Sequence, residues 1–125
     1  VKNLGNRPAK DVLTYTGDRE ESSVGISVVL RGERGAALAT VHDPVNVLHR
    51  VLPPPEGTSF QWVSTIDWYG DTTFNRLQAP LVRAEWRRLI AASQDPETVS
   101  LLEQIDHLLE RCSSEVHVYV TFHGD

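Results

Sequence analysis

Two amphipathic helical stretches stand back to back in this chain, and an alternating strand follows them directly. In the first, Leu81, Val82, Trp86, Leu89 and Ile90 recur at helical spacing, and Pro80 marks either a fresh start or a kink. The second opens with a clear signal: Asp95 suits the N-cap, Pro96 the first helical position and Glu97 the positive end of the helix dipole. Leu101, Leu102, Ile105, Leu108, Leu109 and Cys112 make its apolar stripe. Arg83, Arg87 and Arg88 on the first helix and Glu103, Asp106 and Glu110 on the second read as mutual compensation in an antiparallel pair. The closing "EVHVYVTFHGD" then changes to period two, with Val116, Val118, Val120 and Phe122 inward and His117, Tyr119, Thr121 and His123 outward.

The same period appears before the helices. "VGISVVLRG" places Val24, Ile26, Val28 and Leu30 on one face, "GERG" supplies a turn, and "AALATVH" returns as the second arm of a hairpin. The proline-rich "HDPVNVLHRVLPPPEGTS" reads as a surface excursion with a helical turn near 45–51. "FQWVSTIDWY", aromatic and β-branched, is expected to be a third strand. Because both helices fall between strands of one sheet, the expected fold is α+β: a two-layer sandwich with a largely antiparallel sheet and a two-helix pair inserted before the last strand. Residues 24–125 form its single domain, and residues 1–23 an N-terminal arm in which only "DVLTYT" has the look of an edge strand. With 125 residues and 40% hydrophobic content, one modest core is all that the chain supports.

Charge and cysteine content narrow the function classes. Twelve basic against 17 acidic residues, a net charge of -5, disfavour nucleic acid and anionic lipid as partners. The single cysteine rules out an internal disulfide, and no window of about 18 apolar residues suggests a membrane span, so a cytoplasmic location is the expectation. The sequence begins with Val and contains no Met, which fits a fragment, a processed chain or a non-AUG start equally.

The segment with the densest chemistry is "DWYGDTTFNRLQ", residues 67–78. Its residue types are those of a strand-to-helix joint: a strand ending at Tyr69, Gly70 for a tight turn, Asp71, Thr72 or Thr73 as caps, and a helix begun by Phe74 and Leu77. An anion site is the competing reading, but Asp71 competes for the same N–H donors and no phosphate-loop spacing is present. Trp68, Tyr69, Asp71, Asn75 and Arg76, with Gln78 beside them, are the candidate partner-binding residues. For metals, His117 and His123 lie on one expected strand face, yet six residues at roughly 3.3 Å each hold them about 20 Å apart. His42 with Asp43, His49 and His107 have no ligand spacing, so neither metal nor cofactor is expected. Cys112 belongs to an apolar stripe, Ser93, Ser113 and Ser114 suit helix ends, and no catalytic residue stands out.

"YGDTTFN" at 69–75 together with the closing "FHGD" resembles a set of small uncharacterised bacterial proteins that share a YGDTxFN block and an aromatic-x-Gly-Asp end. The resemblance carries no activity; it implies that Tyr69 to Gln78 and Phe122 to Asp125 form a matched unit, with Asp125 or the terminal carboxylate near Arg76 as one way to join them. The best-fitting function is a non-enzymatic protein-interaction module of the antidote or regulatory-adaptor type, with a protein partner of basic character. Two other readings stand beside it: a small hydrolase or isomerase using His117, His123, Tyr69 or Asp71 against the sheet, and a homodimer paired through an exposed edge such as "EVHVYVTF".

Overall fold

The computed structural model describes residues 25–53 and 59–124; the N-terminal arm with "DVLTYT", most of the proline run and Asp125 lie outside the described residues. Strands β1 (Ser27–Arg31) and β2 (Ala37–His42) form the expected antiparallel hairpin, and a short helix α1 (Val47–Val51) follows. After one 3-10 turn at Val63–Thr65 come β3 (Asp71–Phe74), α2 (Ala79–Ala92), α3 (Pro96–Ser114) and β4 (Tyr119–His123). The sheet is antiparallel throughout, in the order β2-β1-β4-β3. The fold is thus α+β, with α2 and α3 inserted before the last strand.

One face of the sheet makes the core. Val28, Leu30, Val120 and Phe122 are fully buried against Trp86, Leu102, Ile105 and Leu109, and Trp86 lies 5.7 Å from the Phe122 ring. The indole N–H of Trp86 donates to the Leu102 carbonyl at 2.8 Å, which satisfies the polar edge of the largest buried side chain and locks α2 onto α3. Arg83 and Arg87 both reach Asp106, at 2.9 and 3.3 Å, so the basic and acidic helices do compensate each other. The capping signal at Asp95 is also present: its carboxylate accepts from the Thr98 N–H and hydroxyl at 3.0 and 2.8 Å.

Four expectations need correction. "FQWVSTIDWY" is not a strand. Val63 and Ile66 are both buried three residues apart, a turn-like spacing, and the Glu85 carboxylate on α2 accepts from the N–H groups of Trp62 and Val63, both at 2.9 Å. Tertiary capping overrides strand propensity there, and the third strand is instead the very stretch expected to cap a helix, Asp71–Phe74. Second, Val116 is exposed rather than inward, because α3 runs through Ser114 and a turn with His117 at a left-handed φ of 60° delays β4 until Tyr119. Third, β4 lies between β1 and β3, so "EVHVYVTF" is an interior strand and no edge. Leu81, expected in the core stripe of α2, is also half-exposed, with Ala79 taking an inward position instead.

Candidate functional site

The outer face of the sheet, opposite the helices, carries a polar row across the strands. In register order it reads His42, Ser27, His123 and Asp71, with Thr40, Val29, Thr121 and Thr73 as the neighbouring row. His123 Nδ1 lies 2.9 Å from Asp71 Oδ1, and its Nε2 lies 2.8 Å from an Arg31 guanidinium nitrogen. A guanidinium only donates, so Nε2 is the acceptor and the ring proton sits on Nδ1, pointing at Asp71. Arg31 also donates to the Gly35 carbonyl at 2.8 Å. Thr73 and Thr121 hydroxyls meet at 3.0 Å, and Ser27 Oγ lies 3.4 Å from His42 Nδ1. No sequence motif announces this Asp71–His123–Arg31 chain, because its members come from three strands; outward alternation in β4 was the one signal for His123.

Around β3 the local chemistry is that of a tight junction. The Asp67 carboxylate accepts from the Tyr69 N–H and the Asp67 N–H donates to Thr72 Oγ1, both at 2.8 Å, which turns the chain into β3. Gly124 donates to the Gly70 carbonyl at 2.6 Å, and a Cβ on Gly124 would come within 2.6 Å of the Asp67 carbonyl and of Gly70 N and O. Here is the physical reason for glycine in the closing "HGD": only a hydrogen lets β4 and the 67–70 turn approach this closely. Residues 71–74 and 120–123 are ladder partners.

At the other end of β3 the chain enters α2 through a reciprocal cap. Asn75 Oδ1 accepts from the N–H groups of Leu77 and Gln78, and Gln78 Oε1 accepts from the Asn75 N–H, all at 2.9 Å. Asp71, Thr72 and Thr73, expected as caps, are strand residues instead, and the capping role falls to Asn75 and Gln78, whose Asn-x-x-Gln spacing is the signal that the expectation passed over.

The candidate partner-binding residues therefore divide. Trp68 is half-buried, packed on the core with its ring 5.2 Å from that of His49. Tyr69 is 77% exposed and borders a cleft of about 600 Å³ lined by Ser64 to Trp68. Asp71 is engaged by His123 and Asn75 by its own helix cap. Arg76 is exposed beside a second cleft of about 310 Å³, shared with Leu77, Val116, His117 and Tyr119. Since β3 separates the two clefts, Tyr69 and Arg76 stand at opposite ends of one strand, and Arg76 lies at the end away from Gly124.

Other candidate groups are spoken for. Cys112 is fully buried, its thiol facing the Val118 carbonyl at 3.5 Å, and burial pushes that thiol up from its ordinary value. Asp43 is no ligand but the buried cap of α1, accepting from Val47 N and Leu48 N at 2.8 and 2.7 Å. His117 lies in the turn before β4 and does not join His123, and among the described residues no group of three or more His, Cys, Asp or Glu side chains could hold a metal ion. Likewise, no helix among them is long and apolar enough to cross a membrane. Comparison of the chain with protein-family models, curated proteins and solved structures returns no match.

Proposed function

We propose that this protein is a non-enzymatic interaction module, an adaptor or antidote that works by binding another protein through the β3 side of its sheet. The observation that carries the reading is that four of the seven exposed large hydrophobic side chains among the described residues, Tyr69, Leu77, Val116 and Tyr119, flank β3 and β4 at the rims of the two clefts, while Leu38, Val45 and Leu81 lie apart from them. Exposed aromatic and aliphatic groups gathered beside polar ones are what binding surfaces offer. Asp67 and Asp71 add acidic groups at one end, and the chain's charge of -5 steers a partner of basic character towards it. The test is capture of a stoichiometric partner from the native lysate, its identification, and reconstitution with the purified pair beside a Tyr69→Ala/Arg76→Ala double variant. Binding lost in the variant supports the reading; a partner bound equally well by the variant removes it from this surface.

One observation favours a second reading, a small hydrolase or isomerase. Asp71 orients His123 through Nδ1 as a base is oriented in general acid–base sites, and Ser27 is the next residue in the same row. In this reading a ligand must first draw Arg31 off Nε2, because an occupied lone pair takes no proton. An identified activity that survives His123→Ala would dispose of it.

A further inference from the structure

Gly124 N–H bonds the Gly70 carbonyl, and in an antiparallel ladder bonded and non-bonded pairs alternate, so Thr72 and Phe74 face β4 with their backbone groups while those of Asp71 and Thr73 point the other way. β3 is an outer strand, and no backbone partner is found for Asp71 or Thr73 among the described residues. An exposed row of this kind is a template for another strand.

We infer that β3 pairs antiparallel with β3 of a second copy about a two-fold axis at Thr72, joining both sheets into one; the inference rests on the interaction reading above and names its partner. The register follows from the outward groups. Only Asp71 and Thr73 offer donors and acceptors on this edge, so the pairing that uses them all sets Asp71 opposite Thr73 of the other copy, with Thr72 opposite Thr72. Shifting by one residue would point bonded groups at unbonded ones. Shifting by two towards Asn75 would require a backbone N–H already given to Gln78.

The ends of β3 are complementary under the same axis. An antiparallel pair brings the start of one strand to the end of the other, so the turn that carries exposed Tyr69 comes towards the end of the partner strand, on the side of the cleft rimmed by Leu77 and Val116. The turn before one strand, with Trp68 and Asp67, then lies towards the turn after the other, with Arg76 and Leu77, which sets an acid on the side of an arginine that has no ion-pair partner among the described residues. The other outer strand has no such match: β2 is interrupted by a register shift where Leu30 pairs Ala39 but Arg31 pairs Ala37, and a bulge of this sort blunts an edge.

The deciding experiment uses the full chain. Light scattering across a concentration series is expected to show a monomer–dimer equilibrium. Thr73→Pro removes an N–H that points away from β4, so it should give a folded monomer by circular dichroism. Should that variant not fold, Arg76→Glu at an exposed position serves instead and is expected to weaken the dimer about fivefold. Thr72→Cys should form a disulfide between copies on mild oxidation, since facing residues of a non-bonded pair are close enough, whereas Thr40→Cys on β2 should not. A protein monomeric at every concentration, a dimer unaffected by both edge variants, or cross-linking through Thr40→Cys in place of Thr72→Cys each overturns the inference. A monomer that still binds a different protein, lost in the Tyr69→Ala/Arg76→Ala variant, sinks the second copy as partner and leaves the interaction reading standing.

Discussion

The two faces of the same four strands are built by different physics. On the helix side, Val28, Leu30, Val120 and Phe122 are dry and close-packed, and stability there depends on excluded water and matched volume. Facing the other way, Arg31, His123 and Asp71 form a chain of directed bonds, Thr73 meets the Thr121 hydroxyl and Ser27 meets His42, and of these side chains all but Thr121 are exposed or half-buried. The contrast teaches which face can carry function: bonds among exposed side chains are individually weak and can be exchanged for bonds to a partner, whereas core contacts cannot be released without unfolding.

That contrast can be tested by how far substitutions on each side are felt. The largest effect is expected at Trp86, where truncation to Ala leaves a cavity between α2, α3 and Phe122 and should cost about 3–5 kcal/mol in denaturant unfolding. A loss below about 1 kcal/mol would mean that the helix layer is loosely packed. Next comes Gly124→Ala, which drives a methyl group into the 67–70 backbone and should cost roughly 1–3 kcal/mol, measured the same way. On the outer face His123→Ala should change stability by about 1 kcal/mol or less, because its partners can turn to water. If it matched Trp86→Ala, the two faces would not be energetically distinct. A nitrogen NMR spectrum of wild-type protein should also show the His123 proton on Nδ1, and an Nε2–H form would break the Asp71–His123–Arg31 chain.

The smallest expected signal is a pH slope. The Thr98 hydroxyl, and then the Thr98 N–H, hold the Asp95 carboxyl below the usual aspartate range. A carboxyl lowered in the folded state adds stability at pH above its unfolded value and loses it as pH falls through the folded one. Asp95→Ala should therefore flatten the acid limb of a plot of Tm against pH and leave its shape near neutrality unchanged. Identical acid limbs would show that this exposed cap contributes nothing to the pH dependence.

Much of the architecture was legible because the residues that encode it are close in sequence. The first hairpin, the Asp95 cap, the stripe of α3 and the α+β class all rest on patterns of two to four residues. "FQWVSTIDWY" departs from its strand pattern for the opposite reason: its conformation is decided by Glu85, more than twenty residues away, which binds the N–H groups of Trp62 and Val63. Asp71–Phe74 has the composition of a helix cap yet forms β3, because Asp and Thr serve either role and Asn75 with Gln78 supplies the cap.

The sequence by itself determined the class of fold, the helix pair and that no disulfide can form between two cysteines of the given sequence, since spacing, capping and a single cysteine are local or countable properties. Only the tertiary structure decided that β3 lies at an edge, that Tyr69 and Arg76 stand at its opposite ends, and that Asp71, His123 and Arg31 meet. Those facts depend on the strand order and register, which are set by how the inward faces of separate strands fit one core, and no short pattern in a single strand contains that fit.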